Sequence, residues 1–170
     1  MKTIRYADIK KMDISNGKGF GISLFVQGCH FHCKNCFNSS TWDFDGGKEW
    51  TTDKKNEFLE LAKNPHVKRI SILGGEPLAE ENLADVLDLV NEIRLSMPEK
   101  TIWLYSGFTW DESRLNVLRR QIVDQCNVMV DGRFIDELKD LSLAYRGSAN
   151  QRVIDVQESL RQNKIILYCD

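Results

Sequence analysis

No charge of either sign dominates this sequence. Its 23 lysines and arginines stand against 25 aspartates and glutamates, a formal net charge of −2. A strong electrostatic grip on nucleic acid or on an anionic membrane is therefore not expected. Long hydrophobic runs are also missing, and nothing approaches the roughly 20 apolar residues that span a bilayer. Residues 1–11 alternate polar and apolar side chains without an apolar core, so they do not read as a secretory signal. There is no Gly-x4-Gly-Lys-Ser/Thr phosphate loop, and Gly17-Lys18-Gly19 is too short to be one. No Ser/His/Asp set stands at an informative spacing, and there is no internal repeat, low-complexity tract or interdomain linker. These absences leave a cytoplasmic protein of ordinary globular composition, 42% hydrophobic and 28% charged, as the expectation. Its 170 residues suit a single domain, 1–170, with a substantial core.

A disulfide framework is excluded as well. The five cysteines are an odd number without a leader, which in a reducing compartment points to metal or redox chemistry. Three of them crowd into residues 28–38, Gly-Cys-His-Phe-His-Cys-Lys-Asn-Cys-Phe-Asn, with the spacing Cys29-x3-Cys33-x2-Cys36. Thiols this close on one loop suit iron–sulfur or zinc ligation. A closed structural site is filled by protein ligands alone, whereas three thiols leave a position open for a substrate. The plainer alternative is a zinc knuckle pinning the loop, with His30 or His32 as a further ligand. Cys126 and Cys169 read as structural or incidental thiols, and His66, beside Pro65, as exposed. Trp42, Trp50, Trp103 and Trp110 read as core or rim residues.

Strand and helix patterns alternate along the chain. Strands are expected at 4–12, 22–26, 67–73, 101–105, 128–130, 152–156 and 165–168, and helices at about 53–63, 81–96, 109–121 and 157–161. Thr51 or Thr52 can cap the first helix, whose inner face holds Phe58, Leu59 and Ala62, and Thr109 with Glu112 has capping-box spacing. Residues 138–147 read as irregular. This alternation implies right-handed βαβ units and a mostly parallel sheet. A complete eight-unit barrel needs about 250 residues, so an open or partial barrel, or a doubly wound sheet, is expected. In either, the loops at the carboxyl ends of the strands gather on one side. The cysteine loop, Gly74-Gly75-Glu76-Pro77, residues 106–109 and residues 131–133 all follow expected strands, so they should line one mouth.

Cys29-x3-Cys33-x2-Cys36 resembles the signature of the radical S-adenosylmethionine (SAM) enzymes. That family often has an aromatic before the last cysteine; here Asn35 stands there and Phe37 follows, which fits one subgroup. Gly74-Gly75-Glu76-Pro77 resembles the family's Gly-Gly-Glu segment, where paired glycines permit close backbone approach and a carboxylate accepts from an ammonium. Val26-Gln27-Gly28-Cys29, Phe37-Asn38-Ser39-Ser40-Thr41-Trp42, residues 102–109 (Ile-Trp-Leu-Tyr-Ser-Gly-Phe-Thr), Val130-Asp131-Gly132-Arg133-Phe134, residues 136–143 and residues 146–152 extend the match. They are similar to segments of the activases of glycyl radical enzymes, in particular those that serve anaerobic ribonucleoside-triphosphate reductase.

The resemblance implies a partial radical-SAM βα barrel. It implies a [4Fe–4S] cluster on Cys29, Cys33 and Cys36, with SAM chelating the remaining iron. Gly74, Gly75 and Glu76 would hold the methionine end of SAM. Asn35, Cys36 and Phe37 would contact the adenosyl part, with Ser106 on the ribose side. It further implies an external one-electron donor such as flavodoxin, reductive cleavage of SAM to a 5′-deoxyadenosyl radical, and abstraction of a glycine α-hydrogen in the partner reductase. Activation of another glycyl radical enzyme, of the formate-lyase type, is the alternative target. Residues 138–152, with Lys139, Arg146 and Arg152, read either as a surface loop or as a segment that docks the partner or closes the site.

Overall fold

The computed structural model describes residues 3–170; Met1 and Lys2, which begin the stretch read above as no leader, lie outside the described residues. β1 (Arg5–Asp13) runs antiparallel to β2 (Gly21–Val26), and the two-residue β3 (Lys48–Glu49) pairs with β1. β2, β4 (Arg69–Gly74), β5 (Thr101–Ser106) and β6 (Val128–Asp131) are parallel neighbours. β7 (Arg152–Asp155) and β8 (Leu167–Cys169) add antiparallel on the far side. One sheet results, in the order β3-β1-β2-β4-β5-β6-β7-β8.

The sheet is thus mixed where a mostly parallel one was expected. The reason lies in the connections. A parallel return needs a crossover of a dozen or more residues, usually a helix. Such helices link β2 to β4, β4 to β5 and β5 to β6, but only the short loop of residues 14–20 links β1 to β2, and residues 132–151 between β6 and β7 hold no α-helix.

α1 (Thr52–Ala62) starts at Thr51, whose hydroxyl accepts the Lys54 N–H, and buries Phe58, Leu59 and Ala62 as its pattern predicts. α2 (Leu83–Ser96) is preceded by a 3-10 turn at Glu80–Asn82. The single helix expected over 109–121 is instead two. Thr109 and Glu112 form both bonds of a capping box on α3 (Trp110–Arg114). Asn116 then turns extended, and its side chain accepts the Arg119 N–H to begin α4 (Val117–Asp124). A short amide that bonds its own backbone competes with helix continuation. α5 (Val156–Gln162) is capped by Asp155.

Alternation along the strands separates two faces. Ile22, Leu24, Ile70, Ile72, Ile102, Leu104 and Met129 join one core with Phe58, Val86, Val90 and Ile93 from the helices. The opposite face carries Ser23, Phe25, Arg69, Ser71, Leu73, Trp103, Tyr105 and Val130, and several of these line a cavity or a small second cluster. Arg69 sits at the amino-terminal end of that face, fully buried. It lies 3.8 Å from the Asp13 carboxylate and donates to the Asp13 carbonyl at 2.6 Å and the Asn16 carbonyl at 3.1 Å. Burial works against the Asp13 charge, yet hydrogen bonds from Ser23, Asn16 and Ser15, with Arg69 beside them, hold its carboxyl below the ordinary range. Removing one partner of a buried pair strands the other's charge. Arg69→Met should therefore lower stability by about 3–5 kcal/mol in urea unfolding, with the cysteine loop untouched.

Candidate functional site

The loops that follow β2, β4, β5 and β6 meet around one cavity of about 590 Å³. Cys29, Cys33 and Cys36 line it, and so do Gly74, Gly75 and Glu76 from the next loop. Ser106, Gly107, Gly132 and Arg133 complete the contribution of the strand ends, while Phe25, Leu73 and Tyr105 rise from the sheet face below.

The cysteine loop is tied down at its start. Gly28 N–H donates to the Thr41 carbonyl at 2.6 Å and Cys29 N–H to the Trp42 carbonyl at 3.0 Å. His32 and Asn35 adopt left-handed backbone, φ 49° and 57°, which curls the loop between its cysteines. Both loop histidines are engaged by rings: His32 stacks on Trp42 at 4.4 Å, and His30 packs on Phe44 at 4.5 Å and meets the Glu81 carboxylate at 2.6 Å. Among the described residues no group of three or more His, Cys, Asp or Glu side chains is arranged to hold a metal ion. The three thiols share a cavity wall. A cluster spreads its ligands over separate irons, so such a wall suits it better than it suits one tetrahedral ion.

The Gly74–Pro77 turn is laced to the cysteine loop. Gly75 N–H donates to the Val26 carbonyl and Glu76 N–H to the Gly28 carbonyl, both at 2.8 Å. Gly74 has φ +107°, and a Cβ on Gly75 would come within 2.5 Å of the Gly28 carbonyl oxygen. Both positions therefore require glycine. Glu76 is 3% exposed. Its Oε1 accepts from the Ser106 hydroxyl at 2.7 Å and the Leu78 N–H at 2.9 Å, and its Oε2 from the Gly107 N–H at 2.7 Å. Burial pushes its carboxyl up to about 7 against the pull of these donors.

Of the residues singled out in the sequence, Cys29, Cys33, Cys36, Phe37, Gly74, Gly75, Glu76 and Ser106 line the cavity; Asn35 does not. Its side-chain amide donates to the Asp136 carboxylate at 2.9 Å instead. Arg133 lines the cavity as expected of the 131–133 loop, whereas Phe31 was not singled out; the Arg133 guanidinium lies 4.3 Å from the Phe31 ring centre, on the cavity wall. Asp131, nearly fully buried, accepts from Arg152 at 2.6 Å and from the Trp110 N–H at 2.8 Å, so it joins β7 and α3 beneath the site. Three buried donors have no partner among the described residues and belong to the cavity walls: Trp42 Nε1, Tyr105 Oη and Arg146 Nε. Unpaired buried donors, a glycine cradle and three thiols together fit a site whose hydrogen bonding is completed by ligands.

Comparison with known proteins bears on this arrangement. A family model described as a 4Fe-4S single cluster domain matches residues 15–154, which include every loop of the cavity. The anaerobic ribonucleoside-triphosphate reductase-activating protein of Escherichia coli (strain K12) is 41% identical over 152 residues, 88% of this chain and 97% of that one. The chain belongs to this family. The activating protein of the same name from Vibrio cholerae is 37% identical over 150 residues, 87% of this chain and 96% of that one. That of Enterobacteria phage T4 is 30% identical over 150 residues, 88% of this chain and 93% of that one. The matched family model is that of a 4Fe-4S domain, and Cys29, Cys33 and Cys36 lie within the matched residues.

No helix among the described residues is long and apolar enough to cross a membrane. All five cysteines are free thiols. Burial pushes the Cys29 and Cys33 thiols above their ordinary value of 9.0, the Glu76 carboxylate adding to the effect at Cys29 and Cys36 at Cys33. Ligation takes thiolates, so iron and sulfide uptake by the metal-free protein should release protons and speed up as pH rises from 7 towards 9. Visible absorption during anaerobic reconstitution checks this; a rate independent of pH would contradict it.

Proposed function

We propose that this chain activates an anaerobic ribonucleoside-triphosphate reductase by generating a glycyl radical in it. The observation that carries the reading is the meeting of three thiols, the Gly-Gly-Glu turn and the β5 loop in one cavity of a chain from this family. Cys29, Cys33 and Cys36 would hold a [4Fe–4S] cluster. When bound, a reduced cluster and SAM would supply the chemistry: with one electron from an external donor such as flavodoxin, reductive cleavage of SAM to methionine and a 5′-deoxyadenosyl radical that would take one glycine α-hydrogen of the reductase, giving 5′-deoxyadenosine and a glycyl radical.

The chain's own residues position and shield. Glu76 offers a fixed carboxylate to the ammonium of SAM, and Gly74 and Gly75 let backbone lie against the methionine end. Ser106, whose hydroxyl is committed to Glu76, serves as a positioning residue for that carboxylate in place of the ribose contact expected from sequence. Cys36 and Phe37 face the adenosyl part, with Asn35 supporting the loop from outside the cavity. Phe31, Phe37 and Phe134 give the cavity apolar walls, which keep water from a radical that would attack almost any nearby C–H bond. The open sheet would act as a partial barrel, 1–170 forming one radical SAM domain, whose unclosed side admits a loop of a large partner. This work belongs to the cytoplasm and involves neither nucleic acid nor membrane.

Anaerobic reconstitution with iron and sulfide tests the reading. Broad visible absorption and release of 5′-deoxyadenosine on reduction with SAM are expected. Tight zinc binding with no SAM turnover would overturn it in favour of a zinc module.

A further inference from the structure

Radical chemistry in a cavity needs both an entrance and a way to shut water out. We propose, resting on the function proposed above, that residues 141–146 are a lid over the cavity, latched by Tyr145 on Trp103 and drawn shut by bound SAM.

The segment has a fixed stem and a free tip. Asp140 N–H donates to the Gly147 carbonyl at 3.1 Å and Ala149 N–H to the Leu138 carbonyl at 2.9 Å, an antiparallel pairing. The stem is tied to the loop after β6. Gln151 donates to the Gly132 carbonyl at 2.9 Å while its Oε1 accepts the Gly147 N–H at 2.9 Å, and Asn150 donates to the Arg133 carbonyl at 2.8 Å. Beyond Asp140 and Gly147 the ties stop. Among the described residues, the hydrogen bonds of 141–146 stay within 140–147. Leu143 N–H donates to the Asp140 carbonyl at 3.4 Å, Ser142 N–H to the Asp140 carboxylate at 2.9 Å, and Arg146 to the Ala144 carbonyl at 3.4 Å. No salt bridge among the described residues involves the tip. A segment held to its body by packing alone belongs to the low-stability end of a fold and opens at little cost.

The tip nevertheless forms part of the site. Leu141, Leu143, Tyr145 and Arg146 line the cavity, as Phe25, Leu73 and Tyr105 do from the sheet. Tyr145 supplies the latch: its ring meets that of Trp103, almost fully buried, edge-on at 4.9 Å. It does so from left-handed backbone, φ 62°, which a bulky side chain rarely adopts. The contact works against local strain, so closed and open forms lie close in free energy.

Unpaired donors say what closes the lid. Arg146 Nε on the tip and Tyr105 Oη on the sheet are buried without a partner among the described residues, and both residues line the cavity. SAM carries carboxylate, ribose and adenine acceptors. An acceptor that completes the Arg146 bond inside the cavity does so only while the tip is down. SAM then binds the closed form more tightly than the open one, the difference in affinity that a shift of population requires.

Fluorine resonance on the full chain tests the lid without radical chemistry. The chain has four tyrosines, so 3-fluorotyrosine gives four signals, each assigned by its Tyr→Phe variant. In the metal-free chain the Tyr145 signal should be split or broadened by exchange, with Tyr6, buried in the core, giving one sharp line. Leu143→Asp removes an apolar contact of the tip and should raise the open-to-closed ratio about tenfold. The Tyr6 line shows that this variant folds. Leu115→Asp, at an exposed residue of the α3–α4 turn that lines no cavity, should leave the ratio unchanged. SAM added to the reconstituted wild-type chain should gather the Tyr145 signal into the closed line. With reductase present, Leu143→Asp should release several-fold more 5′-deoxyadenosine per glycyl radical formed, because an open cavity lets the radical be quenched. A single sharp Tyr145 line, the same in wild type, in Leu143→Asp and with SAM, would overturn the lid. Absence of 5′-deoxyadenosine from the wild-type chain would instead overturn the function proposed above, while the fluorine signals of the metal-free chain still decide whether the tip moves.

Discussion

Cys33→Ala should abolish the visible absorption of the reconstituted protein and cut 5′-deoxyadenosine release by more than about 100-fold, since even outer partners of a metal site cost 10–100-fold when removed. The residue lies on a partly exposed loop whose backbone is held by Gly28 and Cys29 bonds to Thr41 and Trp42. Stability of the metal-free protein should accordingly change little. Cys29→Ala and Cys36→Ala should behave alike, because a cluster held at three corners has no spare ligand on this loop. Cys126→Ala is the contrasting case. Cys126 is fully buried, its thiol is pushed up to about 12 by burial, and it donates to the Ile122 carbonyl. Its removal should leave the absorption intact and cost about 1 kcal/mol of stability through lost packing. Absorption retained in Cys33→Ala would remove the cluster from this loop.

Glu76→Gln should weaken SAM binding about 10- to 100-fold, the loss of one charge-assisted hydrogen bond worth about 1.5–3 kcal/mol. The substitution keeps size and removes charge. It also sets an amide NH₂ against donors, since Ser106 Oγ, Leu78 N–H and Gly107 N–H all point at this carboxylate. The wild-type pH dependence follows from the same burial. With its carboxyl pushed up to about 7, Glu76 loses its charge as pH falls through that value, so affinity for an ammonium should decline below pH 7. The free protein has the opposite slope. A carboxyl raised from 4.5 to about 7 contributes stability that is full below 4.5 and lost as pH rises through 7. Glu76→Gln should flatten both profiles. Equilibrium dialysis with labelled SAM across pH 6–8 measures the first and urea unfolding the second; an unchanged binding profile in the variant would free Glu76 from this role.

Much of this site is legible before any coordinates. The cysteine spacing and the Gly-Gly-Glu turn each follow an apolar strand, and parallel strands carry their carboxyl-end loops to one side; the shared cavity is the consequence. The Thr109–Glu112 capping box forms as its spacing predicts because it is purely local. What escaped depends on contacts distant in sequence. Ser106 reads as a candidate for the ribose side until β5 lies beside β4 and delivers its hydroxyl to Glu76. Asn35 sits next to Cys36, yet its left-handed backbone turns the side chain to Asp136, a residue 101 positions away. Arg69 hides in an apolar strand and shows its purpose only against Asp13. β3, two residues long, has no period to read, and the antiparallel return of β7 depends on a connection without a helix.

One measurement bears most directly on the proposed activity: the reduced chain is mixed with SAM and a reductase whose glycines carry deuterium at the α-carbon. A glycyl radical in the reductase by electron paramagnetic resonance, with deuterium appearing in the released 5′-deoxyadenosine, is the expected result. Release of 5′-deoxyadenosine without deuterium and without a glycyl radical would contradict it.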